Sequence, residues 1–334
     1  MLRGVVLLYV VAALCGEVLP GSTPILAFLD PHSWVYLVAL YGSGAVIARE
    51  LVRRRKLGWW NLLILGAAYG VLEEGMIVTS WFNPFWADAA TLGEKGRALD
   101  INWIWAVGLT AYHAVMSVTI PVILVERVFP SRASEPWLGR FGLVIAFLVL
   151  IASSIFGLII FGFMLFKPVG YEHPPGTYVN AVIIFFALVW LGLRRRGAAR
   201  PSDAAAPPGP WRLRIPALVL TLAWFIAEYI VPSATPVGIV PVLVLLAIVL
   251  VARRVIDGWS RRAGWGADHR LALASGVLGF FVLLSPAIEF GPHPPEKNVT
   301  GMVAFALGTA LALVLLSLRP VHTPELRAEP AANA

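Results

Sequence analysis

Ten separate stretches of this chain are apolar for long enough to cross a lipid bilayer, and that narrows the available folds more than any other feature. They lie at about 3–19, 34–52, 59–80, 101–125, 139–166, 177–194, 213–231, 236–253, 271–288 and 299–318. A spanning helix takes about 20 residues. In hydrocarbon every backbone N–H and C=O must find a partner within the protein, which leaves helices or closed barrels. These runs lack the alternation of barrel strands. Composition agrees: 59% of the residues are hydrophobic and 13% charged, where a soluble domain carries roughly 25% charge. The expected fold class is an all-α integral membrane protein of about ten transmembrane helices.

The basic residues orient the spans. With a cytoplasmic N-terminus, the outer loops hold only Lys95, Arg97, Lys167 and Lys297. The rest of the 26 Lys and Arg fall on the inner side, including "RRRK" at 53–56 and "RRR" at 194–196. Positive charge concentrates on the cytoplasmic side of membrane proteins, so both termini are expected inside, in the cytoplasmic membrane of a prokaryotic cell. Trp34, Trp59, Trp60, Trp81, Trp103 and Trp137 sit at span ends and are expected in the interfacial belt. The net charge of +7 follows from this topology and implies no nucleic-acid partner. The expected partner is the bilayer, with anionic lipid at the arginine-rich ends. Protein partners and a homo-oligomeric state are left open.

The first stretch has the basic start and apolar core of a signal peptide, and is read as a retained span. Six spans (1–196) precede an Ala/Pro-rich linker, "GAARPSDAAAPPGPWR" (197–212). Four spans (213–319) and a disordered tail (320–334) follow. The outer segments "KPVGYEHPPGTYVN" and "SPAIEFGPHPPEKN" resemble each other: Pro168, His173 and Asn180 match Pro286, His293 and Asn298. The chain thus reads as five helical hairpins with partial internal duplication, a pattern common in membrane carriers.

Two adjacent acids, Glu73 and Glu74, interrupt the third stretch. Ionised acids facing lipid are costly, so both are expected to face protein or a water-filled cavity. Gly66, Gly70 and Glu74 are spaced by four, share a face and admit a close helix. Glu73 points about 100° away, nearer Tyr69, Met76 and Ser80. The fourth stretch puts Asn102, Ala106, Thr110, His113 and Ser117 on one face, with His113 about 16 Å from its outer end. A catalytic or ion-handling site of Glu73, Glu74 and His113 is therefore expected between spans three and four. Neighbouring carboxylates resist ionising together, which suits acid/base work or proton carriage. The bland alternative is a Glu–His hydrogen bond that fixes helix packing. Pro121 bends the inner part of that span, and Glu126 at its inner end is expected to pair with Arg127.

A second group of candidates lies toward the outer side: Glu17, Glu172, His173, Glu228, Glu289, His293 and Glu296. Of these, Glu228, Glu289 and His293 join Tyr69, Asn102, Thr110 and Ser117 as expected substrate- or ion-binding residues. No metal set is assigned, and the sequence specifies no cofactor.

The Glu-Glu pair in one span and the histidine in the next resemble the glutamate-dependent CAAX-processing and bacteriocin-processing intramembrane proteases. That resemblance implies a water-activating site of Glu73, Glu74 and His113. It covers about 55 residues, with Val78 where that family has arginine and Leu109 where it has phenylalanine.

Other chemistries are excluded by motif. The chain has no Gly-Lys-Ser/Thr phosphate loop, no His-Glu-x-x-His zinc motif and no Asp-x-x-Asp pair. The single cysteine, Cys15, allows no intrachain disulfide. Three function classes stand: a proton- or ion-coupled carrier, an intramembrane hydrolase or lipid-modifying enzyme, and a structural or partner-binding membrane component.

Overall fold

The computed structural model describes residues 1–86, 89, 92, 94–166, 175–194, 206–295 and 297–319. Among them are α1 (Leu2–Ala13), α2 (Pro31–Arg54), α3 (Trp59–Gly70), α4 (Trp103–Val128), α5 (Arg140–Phe161), α6 (Pro175–Leu193), α7 (Pro210–Ala234), α8 (Ile239–Ser260), α9 (Ala267–Phe290) and α10 (Met302–Leu318). Each expected span falls on one of these helices. Seven of them, α2 and α4–α9, are long and apolar enough to cross a membrane by length and composition. Of the other three, α10 is apolar but only 17 residues long, and α1 and α3 run on into segments that contain acids.

Local chemistry places the ends. Asp30 precedes α2 and accepts hydrogen bonds from the backbone N–H groups of His32 (3.0 Å) and Ser33 (3.2 Å), while Pro31 supplies the preset φ of a first helical residue. The bond from Ser33 holds the exposed Asp30 carboxyl below the usual carboxylate range. Pro210 likewise starts α7, so the last residues of the expected 197–212 linker are helical. The rest of that linker up to residue 205, Pro168 and His173 of the expected repeat, and the tail lie outside the described residues.

Burial separates core helices from lipid-facing ones. The apolar window of α2 is 72% buried, against 17% for α5, α6 and α8. The outer helices present Phe141, Ile151, Phe186, Trp190, Leu243 and Leu250 outward. In a membrane protein such a surface meets lipid tails at no hydrophobic penalty. Trp81 and Trp137 differ from the expected belt: both are buried. Trp81 packs against Phe82, and Trp137 lies under the Arg49 guanidinium.

α3 meets α4 closely because glycines stand at the contact. A Cβ on Gly66 would lie 2.9 Å from the Ala114 backbone, and one on Gly70 would lie 2.9 Å from His113 Cβ. Gly66→Val is therefore expected to push the two helices apart and destabilise the protein by about 1–3 kcal/mol. Thermal unfolding in detergent checks this, and an unchanged melting temperature would show that the contact is loose.

Candidate functional site

Among the described residues, five helical tracts leave the α pattern for π-helical turns, and four of them carry Glu17, Glu73, Glu74, Glu228 and His113. Leu14–Val18 extends α1 and holds Glu17. Val71–Ile77 extends α3 and holds Glu73 and Glu74. His113–Thr119 lies within α4, and Ile226–Ile230 within α7 holds Glu228. The fifth, Ile159–Phe166, holds none. A π turn bonds i to i+5, inserts a residue into the helix and recurs at functional sites. A straight helix separates Glu73 from Glu74 by about 100°, and from this tract the two reach opposite nitrogens of one imidazole.

His113 is 2% exposed and bonded on both sides. Its Nε2 lies 3.1 Å from Glu74 Oε1. Its Nδ1 lies 3.2 Å from Glu73 Oε2 and 2.8 Å from Ser117 Oγ. The second Glu74 oxygen accepts from the Ser80 hydroxyl, which in turn accepts from Trp105 Nε1 at 2.9 Å. Thr79 makes that reach feasible. It has φ +60°, a strained conformation for a β-branched residue, and it turns Ser80 back over Glu74.

Tyr41, Tyr69 and Tyr112 surround the imidazole with ring centroids 6.0, 6.1 and 5.2 Å away. Tyr41 donates to Glu17 Oε1 (2.5 Å) and Thr23 to Glu17 Oε2 (2.7 Å). Tyr112 donates to the Gly16 carbonyl at 2.8 Å. Glu228 Oε2 accepts from Trp224 Nε1 at 3.1 Å, while its Oε1 is buried with no hydrogen-bond partner among the described residues.

The acids and the imidazole, with Trp105, Tyr112 and Trp224, line one cavity of about 420 Å³. Glu17, Glu73, Glu74, Glu228 and His113 form its walls. Pro20, Ser22, Thr23 and Lys297 line it at the end that the charge pattern assigns to the outside. Glu73, Glu74 and His113 each offer one ligand atom, all within 4.8 Å of one another, so the trio could hold a cation. Carboxylates and an imidazole suit hard and borderline divalent ions.

Of the residues expected from sequence, Tyr69 and Ser117 touch this group and Glu228 faces the same cavity. Thr110 packs its backbone against Gly70 instead, and Asn102 caps α4, accepting from Trp105 N at 3.2 Å. Glu289 accepts from the N–H groups of Gly301 (3.2 Å) and Val303 (2.6 Å), closing the start of α10. His293 is exposed. Glu172, His173 and Glu296 lie outside the described residues. Sequence reasoning grouped Glu17 with the outer acids, set Ser80 on the stripe beside Glu73 rather than on Glu74, and passed over Tyr41, Tyr112 and Trp105. The signal for Glu17 was present, since a lone acid in an apolar span needs a partner. No signal marked Tyr41, which is brought in by folding alone.

A family described as an uncharacterized membrane protein family matches residues 6–325. The chain belongs to that family. No curated protein and no solved structure matches it. Membership accords with the multi-pass architecture and lends no support to the intramembrane-protease resemblance.

Proposed function

We propose that this chain is a ten-span membrane protein with both termini cytoplasmic, whose buried Glu/His cavity binds and exchanges a proton or small cation from the outer face, as an ion-coupled carrier does. One observation carries the reading: four carboxylates and one imidazole line a single cavity that reaches the loop end of the bundle. Lys297 is the only Lys or Arg among the described residues that line it. Four acids without matching bases need protons or cations to persist at membrane depth. The six-span and four-span regions act together, since Glu228, Phe280 and Phe281 come from the second and the other acids from the first.

The test is flux. In proteoliposomes loaded with a pH-sensitive dye, an imposed membrane potential is expected to drive proton movement. The Glu73→Gln/Glu74→Gln pair is expected to lower that flux at least tenfold while the protein stays monodisperse. Undiminished flux in the double variant would overturn the reading.

A second reading is an intramembrane hydrolase. It is favoured by the carboxylates on both ring nitrogens of His113, an arrangement that can orient a water and take its proton. A wild type that carries no flux but cuts membrane-embedded peptides, in an assay that Glu74→Gln silences, would put this reading first.

A further inference from the structure

Beside the acidic cavity lies a second one of about 240 Å³ whose walls are almost wholly apolar. It is enclosed by α3, α4, α7, α8 and α9, from Trp59, Trp259 and Trp265 at the arginine-rich end up to mid-depth. Tyr112, Thr221, Trp224 and Phe281 line both cavities. The wall between charge and grease is thus a single layer of four side chains, three of them aromatic. Glu228 stands at this wall, bonded to Trp224. Its Oε1 has no hydrogen-bond partner among the described residues, although the residue is only 3% exposed.

We propose that the cavities together take a hydrophobic organic cation, with its charge among Glu228, Glu74 and the aromatic wall and its apolar body in the cleft. The proposal rests on the ion-exchange reading of the same site and names the class of its larger substrate. Three features select this occupant. The acidic cavity repels anions. Aromatic faces attract a cation that is poorly hydrated, the type that quaternary ammonium and phosphonium groups represent. An apolar cleft with a few convergent polar groups at one end is the form of small-molecule sites in general. Arg270, at the far end of the cleft, is too distant along α9 from Phe281 to neutralise the acids, and it disfavours a second cationic group there.

The experiment uses the full chain in nanodiscs, with empty nanodiscs subtracted. Tetraphenylphosphonium and tetraphenylborate have the same shape and opposite charge. Equilibrium dialysis is expected to show saturable binding of the cation and at least tenfold weaker binding of the anion. Glu228→Gln, which removes the unpartnered carboxylate, is expected to weaken cation binding at least tenfold. Ala252→Trp fills the cleft from α8 without entering the acidic cavity. It is expected to weaken phosphonium binding by the same order while proton flux persists, and the milder Val249→Phe gives the same direction should Ala252→Trp fail to fold.

Intact proton flux with no phosphonium binding would overturn this proposal and leave the ion-exchange reading standing. Loss of both in the wild type would overturn both. Equal or tighter borate binding would make the cleft a site for an anionic or neutral lipid, and cation binding untouched by both cleft-filling variants would remove the cleft from the site. Either result ends the proposal.

Discussion

Arg49→Ala is expected to destabilise this protein by about 3–5 kcal/mol, the range for stripping one partner from a buried ionic network. Arg49 is 1% exposed. Its Nε lies 3.0 Å from Glu126 Oε1 and its Nη1 3.1 Å from Glu50 Oε1. Its Nη2 donates to the carbonyls of Arg132, Ala133 and Glu135 at 3.1–3.3 Å, and the guanidinium stacks 3.3 Å over Trp137. One side chain therefore ties α2 to the end of α4 and to the loop that leads into α5. Glu50 completes the knot by accepting from Trp137 N (2.6 Å) and Leu138 N (3.2 Å). Alanine would leave two buried carboxylates short of charge and three carbonyls short of donors. Arg53 still holds Glu126 through contacts of 2.6 and 2.8 Å, so the loss stops short of total collapse. Arg49→Lys is expected to recover only part, because an ammonium cannot span the same fork. Fluorescence-detected thermal unfolding in detergent reads the effect. A shift no larger than that of the lipid-facing Leu250→Ala would refute the network's role.

His113→Leu is the second large expected effect, and its value lies in the rescue. The substitution keeps the volume apolar but strips Glu73 and Glu74 of the imidazole between them, leaving Glu74 only the Ser80 hydroxyl as donor. Those acids are 3% and 8% exposed, so water cannot take over fully, and destabilisation of a few kcal/mol is expected. Adding Glu73→Gln and Glu74→Gln to His113→Leu is expected to restore most of that stability while flux stays absent. A coupling of about 1–3 kcal/mol, the upper part of the range for residues in contact, would mark the trio as one electrostatic unit. Additive losses would mean that each group is satisfied separately and that the cavity is packing rather than a site.

The sequence made the spans legible for a simple reason. Hydrocarbon tolerates so few residue types and so little unpaired backbone that each crossing writes itself as a long apolar run. The Glu73, Glu74 and His113 cluster was legible by the same logic in reverse, since acids at membrane depth stand out. What misled was periodicity. Counting 3.6 residues per turn put Glu73 on another face from Glu74, yet both carboxylates reach His113, one at each ring nitrogen. The expected pairing of Glu126 with Arg127 failed for a related reason. Neighbours in sequence diverge around a helix, so Glu126 turns inward to Arg49 and Arg53, while Arg127 reaches Asp268 at 2.9 Å and the Arg319 carbonyl at 2.6 Å.

By itself, then, the sequence determined a helical multi-pass membrane protein, the stretches that become its apolar helices and the presence of buried acids. These follow from the solvent each residue must face, a property that local composition carries. Only the tertiary structure decided which acids share a cavity, that Glu17 and Glu228 join it from α1 and α7 while Glu289 caps α10, and that an apolar cleft meets it behind Trp224. Those facts depend on contacts between helices far apart in the chain, on glycines that set how closely they approach and on π turns that rotate their faces. None of these is encoded in the hydropathy of a single span.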